Sequence, residues 1–447
     1  MAVFPQPLRR DRAAAMDRAL VARTLTWVLA TLLATGPLLG QQRSFPTKFS
    51  PAIAELPAVR DAMRRIDEGF DAQVAEWIRI TEMPGTSRHE AQRAAYVKAE
   101  LEKLGLPVTV DSMGNVTAVR NGTGGGPTVV FAAHMDTVHP LETDVTVTRR
   151  GEQLHAPGIF DNSASVANML AAARAMHAAG VVTKGDVIFV ATVQEELGLR
   201  GMAYWLDHHP GVTDMLVALD GGLGAVNYGA LGIYWSRMVF TGEGSHTNTS
   251  RGKPHPARAA AQCITDIYRI PLPPPNAPVS AVYNVGMLRG GHVVNAIPQE
   301  VSFTVDLRTV DPALLAQLDT AIVNTCRRAA MQEKVGFQRE FIQKNEAGGR
   351  PEALADRRAH PIVQTAVDVL RYLGLELPAG REASPSGSTD ANVGVVRGIP
   401  SIAVGRSRGG EQHTLSEWSD IQSAKIGTKQ IVLLAAALAE VETKPVP

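Results

Sequence analysis

Three apolar runs of the sequence each lead into side chains that can bind a metal ion. They end in His134 and Asp136, in Glu195 and Glu196, and in Asp220. Imidazole nitrogens and carboxylate oxygens are ligands that zinc prefers in proteins. Because a zinc-bound water has a pKa of about 7 instead of about 15.7, such residues held together could supply a nucleophile for hydrolysis at neutral pH.

Two further loops carry the same ligand types. Asp161 lies in the segment GIFDN, and His413 lies in the segment QHT. A single His-x-Asp or Glu-Glu pair is typical of a solvated turn or a surface ion pair. Several carboxylates gathered at low dielectric constant repel one another, so they require nearby cations or raised pKa values. The joint pattern of two histidines and several carboxylates therefore favours a metal site.

Strands that alternate with helices position these residues. The runs 128–133, 186–193 and 215–219 are typical of strands, and 164–179 is typical of a helix. This alternation predicts an α/β fold whose sheet has parallel members. In such sheets, ligand sites gather beyond the carboxyl ends of the strands, which is where the three apolar runs place their metal-binding side chains.

The middle of the chain has a different pattern. The segments typical of strands and helices follow one another as a strand, helix, strand, strand, helix unit: 233–241, 256–270, 282–287, 301–307 and 312–331. We therefore predict a mixed, largely parallel sheet with helices on both faces, interrupted by an inserted α+β domain. The predicted parts are a signal peptide at 1–40, the first part of the α/β domain at 45–228, the insertion at 229–350 and the second part of the α/β domain at 351–447.

The amino terminus predicts export. Five arginines between positions 9 and 23 precede an apolar stretch at 25–39 that ends in glycine and proline. This pattern is typical of a signal peptide and predicts a periplasmic or secreted protein. The stretch is too short for a bilayer core of roughly 30 Å, so no stable membrane span is expected after cleavage. An uncleaved anchor and a translation start at Met16 are the alternatives.

Composition limits the class of protein. A chain of 447 residues favours two domains or one domain with a large insertion. The 44 basic and 44 acidic residues cancel, which argues against a nucleic-acid partner. Cys263 and Cys326 lie in alanine-rich helical runs, where small buried hydrophobic residues are usual. One disulfide between them is permitted in an oxidising compartment.

The order and spacing of these motifs resemble the M20 family of metallopeptidases, along essentially the whole chain after the predicted signal peptide. The resemblance implies two Zn²⁺ ions per subunit, with Co²⁺ or Mn²⁺ as alternatives. The implied ligands are His134 and Asp220 for one ion, Glu196 and His413 for the other, and Asp161 as the bridge between them. It further implies that Glu195 is the general base and that Asp136 orients the ring of His134. Glu417, four residues after His413, is interpreted as a support for the metal loop.

Motifs of the insertion resemble the lid of the same family. They are Gly244-Ser245-His246, the segment 290–298 and Asp306-Leu307-Arg308. The resemblance implies that His246 stabilises the tetrahedral intermediate and that Asn295 and Arg308 bind the substrate carboxylate. It also implies a homodimer through this lid. The alternatives are that His246 caps a turn and that Arg308 pairs with a neighbouring aspartate.

The glycine-rich loop at 387–391 resembles the family's active-site loop, whose backbone could cradle the substrate. Its candidate substrate-binding residues are Gly387 and Ser388. Asp at position 220 and the segment HMDTVHP at 134–140 resemble the tripeptide-aminopeptidase branch. We therefore predict an exported two-zinc aminopeptidase acting on di- and tripeptides. Three alternatives remain: an N-acyl amino-acid deacylase or carboxypeptidase of the same family, an M28-type aminopeptidase, and a non-enzymatic binding module.

Overall fold

The computed structural model describes residues 45–443, and the predicted signal peptide at 1–40 lies outside them. The helices are α1 Pro51–Ala54, α2 Pro57–Glu68, α3 Phe70–Thr81, α4 Ala91–Glu102, α5 Ala164–Ala178, α6 Arg200–His208, α7 Pro256–Ile267, α8 Pro312–Glu333, α9 Pro351–Ala359, α10 Pro361–Tyr372, α11 Ala391–Val396 and α12 Ile421–Leu438. A short π-helical turn, Ile159–Ser163, precedes α5.

The strands are β1 Val108–Val110, β2 Val116–Arg120, β3 Val129–His134, β4 Thr148–Arg150, β5 Gln153–His155, β6 Val187–Thr192, β7 Met215–Leu219, β8 Val226–Asn227, β9 Gly232–Thr241, β10 Ser245–His246, β11 Ala281–Gly290, β12 Ala296–Ile297, β13 Glu300–Thr309, β14 Gly336–Asn345, β15 Ser401–Val404, β16 Gly409–Gly410 and β17 Trp418–Asp420.

A seven-stranded sheet forms the centre of the α/β part, in the order β1-β2-β6-β3-β7-β15-β8. The four strands β6, β3, β7 and β15 run parallel, and the outer strands are antiparallel to their neighbours. β3, β6, β7 and β15 are buried along their whole length. Burial on both faces explains why their sequences are continuous apolar runs instead of alternating ones.

Helices cover both faces of this sheet. On one face, Val129 and Phe131 of β3 join a core that includes α2, α5 and α12. On the other face, Val130 and Ala132 pack in a smaller cluster with Trp205 of α6 and with α11. The period of two along a strand sends alternate side chains to these two cores. The predicted α/β fold, with a largely parallel sheet and helices on both faces, is confirmed.

The segment between β8 and α9 builds a second, antiparallel sheet in the order β11-β13-β9-β14. Helices α7 and α8 pack on one face of this sheet against Phe240 and Phe303. Cys263 of α7 and Cys326 of α8 are fully buried and form a disulfide that links the two helices. The sequence indicated small buried residues at both positions and permitted a disulfide between them, and the structure contains that disulfide.

None of the helices within residues 45–443 has the length and apolar character needed to cross a bilayer.

Candidate metal centre

Parallel strands deliver the predicted metal-binding residues to one edge of the central sheet. His134 is the last residue of β3 and pairs with Thr192, the last residue of β6. Glu195 follows β6 by three residues, and Asp220 directly follows β7. Because β3 lies between β6 and β7 and runs parallel to both, their carboxyl ends lie side by side.

Among residues 45–443, three groups of three side chains have ligand atoms within 4.8 Å of one another. One group is His134, Glu195 and Glu196. The other two share Asp161: the first set is His134, Asp161 and Asp220, and the second set is Asp161, Glu196 and His413. Nε2 of His134 is 3.2 Å from Oδ1 of Asp161, and Nε2 of His413 is 3.3 Å from Oδ2 of the same carboxylate. Asp161 therefore directs one oxygen toward each set.

The donor atoms fit a pair of divalent cations. Oδ1 of Asp161 and Oε1 of Glu196 are buried, and neither accepts a hydrogen bond from any residue between 45 and 443. Oε1 of Glu196 instead faces Nε2 of His413 at 3.2 Å, and Oδ2 of Asp220 faces Nε2 of His134 at 3.7 Å. Nη2 of Arg406 lies 3.1 Å from Oδ1 of Asp161, but in a geometry that makes no hydrogen bond. Buried carboxylate oxygens that accept no hydrogen bond are costly unless a cation satisfies them, and the nitrogen and oxygen set matches zinc.

The surroundings of the cluster shift the pKa values of its carboxyl groups in opposite directions. Burial opposes ionisation of Asp161, but Arg406, His134 and His413 together hold its pKa well below the usual value. Burial raises the pKa of Glu195 well above its usual value, and the neighbouring carboxylates of Glu196 and Asp220 raise it further. Asp161 is thus held as an anion, whereas Glu195 binds a proton readily.

The carboxylates of Asp161 and Glu196 face Nε2 of His413, favour its protonated ring and raise its pKa to about 10. His413 has a left-handed backbone conformation, with a φ of 63°, and about half of its side chain is exposed. The loop thus presents an imidazole to two carboxylates from the solvent side of the centre. A cation bound by the same three side chains would replace the proton of this ring.

The carboxylate of Asp136 organises the loop that follows β6. It accepts the main-chain N–H of Glu195 at 3.0 Å, the main-chain N–H of Glu196 at 3.1 Å and the hydroxyl of Ser87 at 2.6 Å. The nearest contact of Nδ1 of His134 is the main-chain oxygen of Asp136, at 3.1 Å, and the carboxylate is 3.5 Å away. Asp136 therefore contacts His134 chiefly through its backbone and holds the Glu195-Glu196 peptides through its side chain.

Two contacts at the centre were not anticipated from the sequence. The hydroxyl of Ser87 comes from a loop 49 residues before Asp136, and no pattern in that loop indicated it. The guanidinium of Arg406 donates to Asp220 and lies 3.1 Å from Asp161. A signal for Arg406 existed, because it follows the apolar strand β15, which runs parallel to β7 and ends at the same edge.

Of the three residues predicted to bind substrate from the insertion, two lie together and the third pairs with an aspartate. His246 of β10 and Asn295 lie together, with 3.5 Å between Nε2 and Nδ2. Nδ1 of His246 also accepts the main-chain N–H of Asn248 at 3.2 Å, so the ring caps a short turn. Arg308 of β13 instead pairs with Asp306, with 2.9 Å between Nη2 and Oδ2. The cap formed by His246 and the pairing of Arg308 with an aspartate are the alternatives to substrate binding that the sequence offers.

The glycine-rich loop lies beside the metal centre. The carbonyl oxygen of Gly387 accepts the main-chain N–H of Leu231 at 2.8 Å, and Ser388 is half-buried. At the end of the loop, Asp390 is buried and accepts the hydroxyl of Thr192 at 2.6 Å. Since Thr192 ends β6, this contact ties the loop to the sheet edge that carries the metal-binding side chains.

Residues 130–437 match the family model described as peptidase family M20/M25/M40. The chain is 22% identical over 400 residues to an N-carbamoyl-L-amino-acid amidohydrolase of Pseudomonas sp. (strain NS671), covering 77% of this chain and 89% of that protein.

Two solved structures share the fold. Aminopeptidase PepT from Bacillus cereus superposes with a TM-score of 0.66 at 20% identity, over 82% of this chain and 98% of that one. A dinuclear metal-binding peptidase of the M20 family from Bacillus subtilis superposes with a TM-score of 0.62 at 16% identity, over 84% and 100%.

Proposed function

The chain belongs to peptidase family M20/M25/M40 and is a hydrolase, and we propose that it is an exported two-zinc aminopeptidase acting on di- and tripeptides. The observation that carries this proposal is the position of Asp161, which directs one carboxylate oxygen to His134 and the other to His413. A carboxylate shared in this way between two sets of ligands could bridge a pair of neighbouring cations, as a two-metal hydrolase site needs two ions close together.

In this proposal His134 and Asp220 hold one ion, Glu196 and His413 hold the other, and Asp161 bridges them. Zinc is proposed because the donors are imidazole nitrogens and carboxylate oxygens, and Co²⁺ or Mn²⁺ would bind the same set. When bound, the ions would polarise the scissile carbonyl and lower the pKa of the attacking water.

Glu195 is the proposed general base. Its main-chain N–H is fixed by Asp136, and the His134, Glu195 and Glu196 side chains reach within 4.8 Å of one another. The raised pKa of its buried carboxyl group suits a residue that takes a proton from water and returns it to the leaving amine. Asp136 acts through this loop by fixing the peptides of both the base and the ligand Glu196.

The lid and the glycine-rich loop are proposed to bind the substrate. His246 and Asn295 lie together and exposed, which suits donation to the reacting carbonyl and to a substrate carboxylate. Nε and Nη2 of Arg308 bond Asp306, so its Nη1 is the atom proposed to reach a carboxylate. Gly387 and Ser388 would contribute backbone and hydroxyl contacts.

A pair of matched substrates tests the peptidase class. The zinc-loaded protein is offered one tripeptide with a free amino terminus and the same tripeptide acetylated at that terminus, with Glu195→Ala as the control. We expect cleavage of the free form alone and loss of cleavage in the control. Cleavage of the acetylated form alone would overturn the aminopeptidase assignment.

The second candidate is an N-acyl amino-acid deacylase or a carboxypeptidase with the same centre. Similarity to an N-carbamoyl-L-amino-acid amidohydrolase over most of the chain favours it. The two functions differ in which end of the substrate the pocket recognises, so the acetylated peptide separates them. Release of acetate indicates a deacylase, and release of the last residue indicates a carboxypeptidase.

We also propose a homodimer through the lid. β11 is an edge strand, and large apolar side chains are exposed on it and on the loop that follows: Val282, Met287, Leu288, Val293 and Val294. An edge strand with exposed apolar residues invites pairing with another strand. Light scattering after size exclusion should give a dimer for the wild type and a monomer for a Leu288→Lys variant.

Export to the periplasm or the medium is proposed from the amino-terminal sequence. The buried Cys263–Cys326 disulfide supports the proposal, because structural disulfides persist mainly in oxidising compartments. Cell fractionation and amino-terminal sequencing of the recovered protein test it. A full-length protein recovered from the cytoplasm would overturn it.

A further inference from the structure

Arg406 is a buried cation that lies against two of the proposed metal ligands. Its side chain has no exposed surface. Nη1 donates to Oδ1 of Asp220, and Nη2 is 3.1 Å from Oδ1 of Asp161. One guanidinium thus contacts the carboxylates that arrive from the end of β7 and from the turn before α5.

An aromatic ring packs against the guanidinium of Arg406, and close contacts hold its backbone in place. The guanidinium carbon lies 4.2 Å from the centre of the Phe160 ring, and Phe160 is the residue next to Asp161. The main-chain oxygen of Arg406 accepts the side-chain N–H of Asn168 at 2.9 Å. A Cβ atom at Gly427 would lie only 2.0 Å from that same oxygen, so α12 packs directly against this backbone.

The two oxygens of Asp220 have separate partners. Oδ1 accepts from Arg406, and Oδ2 faces Nε2 of His134 at 3.7 Å. The guanidinium therefore occupies one side of this carboxylate and leaves the other side for an ion. Arginine suits this place because it keeps its charge and its fork reaches two acceptors at once.

A fixed cation here has two opposite effects. It attracts Asp161 and Asp220, which would otherwise repel each other in a buried cluster. It also repels any divalent ion bound by the same carboxylates. The attraction of the two carboxylates is largest when no ion is bound, and the repulsion exists only when an ion is bound.

We propose that Arg406 is a built-in counter-ion of the metal centre, which holds Asp161 and Asp220 in place in the metal-free protein at the cost of weaker ion binding. This inference rests on the proposed function, since it takes these carboxylates as ligands. Arg406 is thus a positioning residue: it acts on the reaction through the ligands it orients.

Removal of the charge tests the proposal. Arg406→Met keeps an unbranched apolar stem, and Arg406→Lys keeps a charge but loses the fork. Thermal unfolding is measured for each protein after chelator treatment and again with saturating zinc, and zinc affinity is measured by competition with a chromophoric chelator. We expect Arg406→Met to lower the melting temperature of the metal-free protein by several degrees and that of the zinc-loaded protein by less.

Folding and zinc binding form one thermodynamic cycle, so a smaller loss of stability in the zinc-loaded form means tighter zinc binding. We expect the dissociation constant of Arg406→Met for zinc to be lower by about tenfold, or about 1.4 kcal/mol. Arg406→Lys should fall between this variant and the wild type. Arg93→Met is the matched control, because Arg93 is as deeply buried but, among residues 45–443, donates only to the main-chain oxygens of Met83, Met135 and Thr81. It should lower both melting temperatures by similar amounts.

An equal loss of stability in the metal-free and zinc-loaded forms of Arg406→Met, with unchanged or weaker zinc affinity, would overturn the counter-ion role and leave the proposed function intact. If Arg406→Met folds only with zinc, the role is supported. If it folds in neither state, the comparison is made with Arg406→Gln, which also removes the charge, under the same criterion. A wild-type protein that binds no zinc would overturn both the proposed function and this inference.

Discussion

The side chain of Glu417 accepts the main-chain N–H of Asp161, with 2.7 Å between Oε1 and the nitrogen. The same carboxylate accepts the N–H of Phe160 at 2.8 Å and that of Gly158 at 3.2 Å. Glu417 is almost completely buried. A residue four positions after His413 thus fixes the turn that carries the proposed bridging ligand, and one loop supports both sets of ligands.

Replacement of Glu417 by glutamine should weaken the metal centre. The amide keeps one acceptor oxygen but turns an N–H₂ group toward main-chain donors that then lack a partner. We expect zinc affinity to fall by about 10- to 100-fold, as for other residues that support metal ligands. Metal content after dialysis against a competing chelator measures the effect. Glu411→Gln, an exposed change in the same loop, should leave metal content unchanged.

Adjacent glutamates should give different phenotypes. Glu195→Gln removes the proposed base and should lower kcat by about 10²- to 10⁴-fold while both zinc ions stay bound. Glu196→Gln removes a proposed ligand and should lower metal content as well as kcat. Metal analysis and steady-state kinetics on the same samples separate the two. Loss of zinc from Glu195→Gln would show that this residue is a ligand and not the base.

The strand ends explain which part of the centre the sequence could predict. His134, Glu195 and Asp220 each follow a continuous apolar run, so an α/β pattern alone places them at one sheet edge. Arg406 follows such a run too, but an arginine beyond a strand has many ordinary uses on a surface. Only the fold shows that β15 lies beside β7 and that the arginine is buried against Asp220.

Contacts made by irregular segments were beyond the sequence patterns. Ser87 reaches Asp136 from a loop without periodicity, and the pairing of Cys263 with Cys326 depends on how α7 and α8 pack on the second sheet. The strand β14 was missed because it is an edge strand rich in polar residues. Its apolar residues are too few to produce a clear alternation.

The disulfide between α7 and α8 should contribute strongly to stability. Cys263 and Cys326 are 63 residues apart, and closing a loop of that length is worth about 4 kcal/mol in the chain-entropy account. We expect a Cys263→Ala and Cys326→Ala double variant to unfold at a clearly lower temperature, as followed by calorimetry. Each single variant should lose as much as the double variant, because either one removes the bridge. Additive losses would instead indicate that only packing is involved.

The stability of the metal-free protein should fall as the pH rises above neutrality. Asp161 and Glu196 raise the pKa of His413 from the ordinary value of 6.5 to about 10. A group whose pKa is higher in the folded state stabilises the fold fully below its unfolded pKa, and this contribution disappears as the pH rises through the folded pKa. The melting temperature of the metal-free protein should therefore decline between about pH 6.5 and about pH 10.

His413→Asn tests the origin of that decline. Asparagine does not titrate, so the melting temperature of the metal-free variant should depend less on pH over the same window. Some dependence should remain, because burial opposes protonation of His134 but Glu195 and the aspartates around it still raise its pKa. Zinc bound by His413 would displace the proton of its ring, so wild-type zinc affinity should rise with pH across this window more steeply than that of the variant. Equal slopes for the two proteins would place the titration elsewhere in the centre.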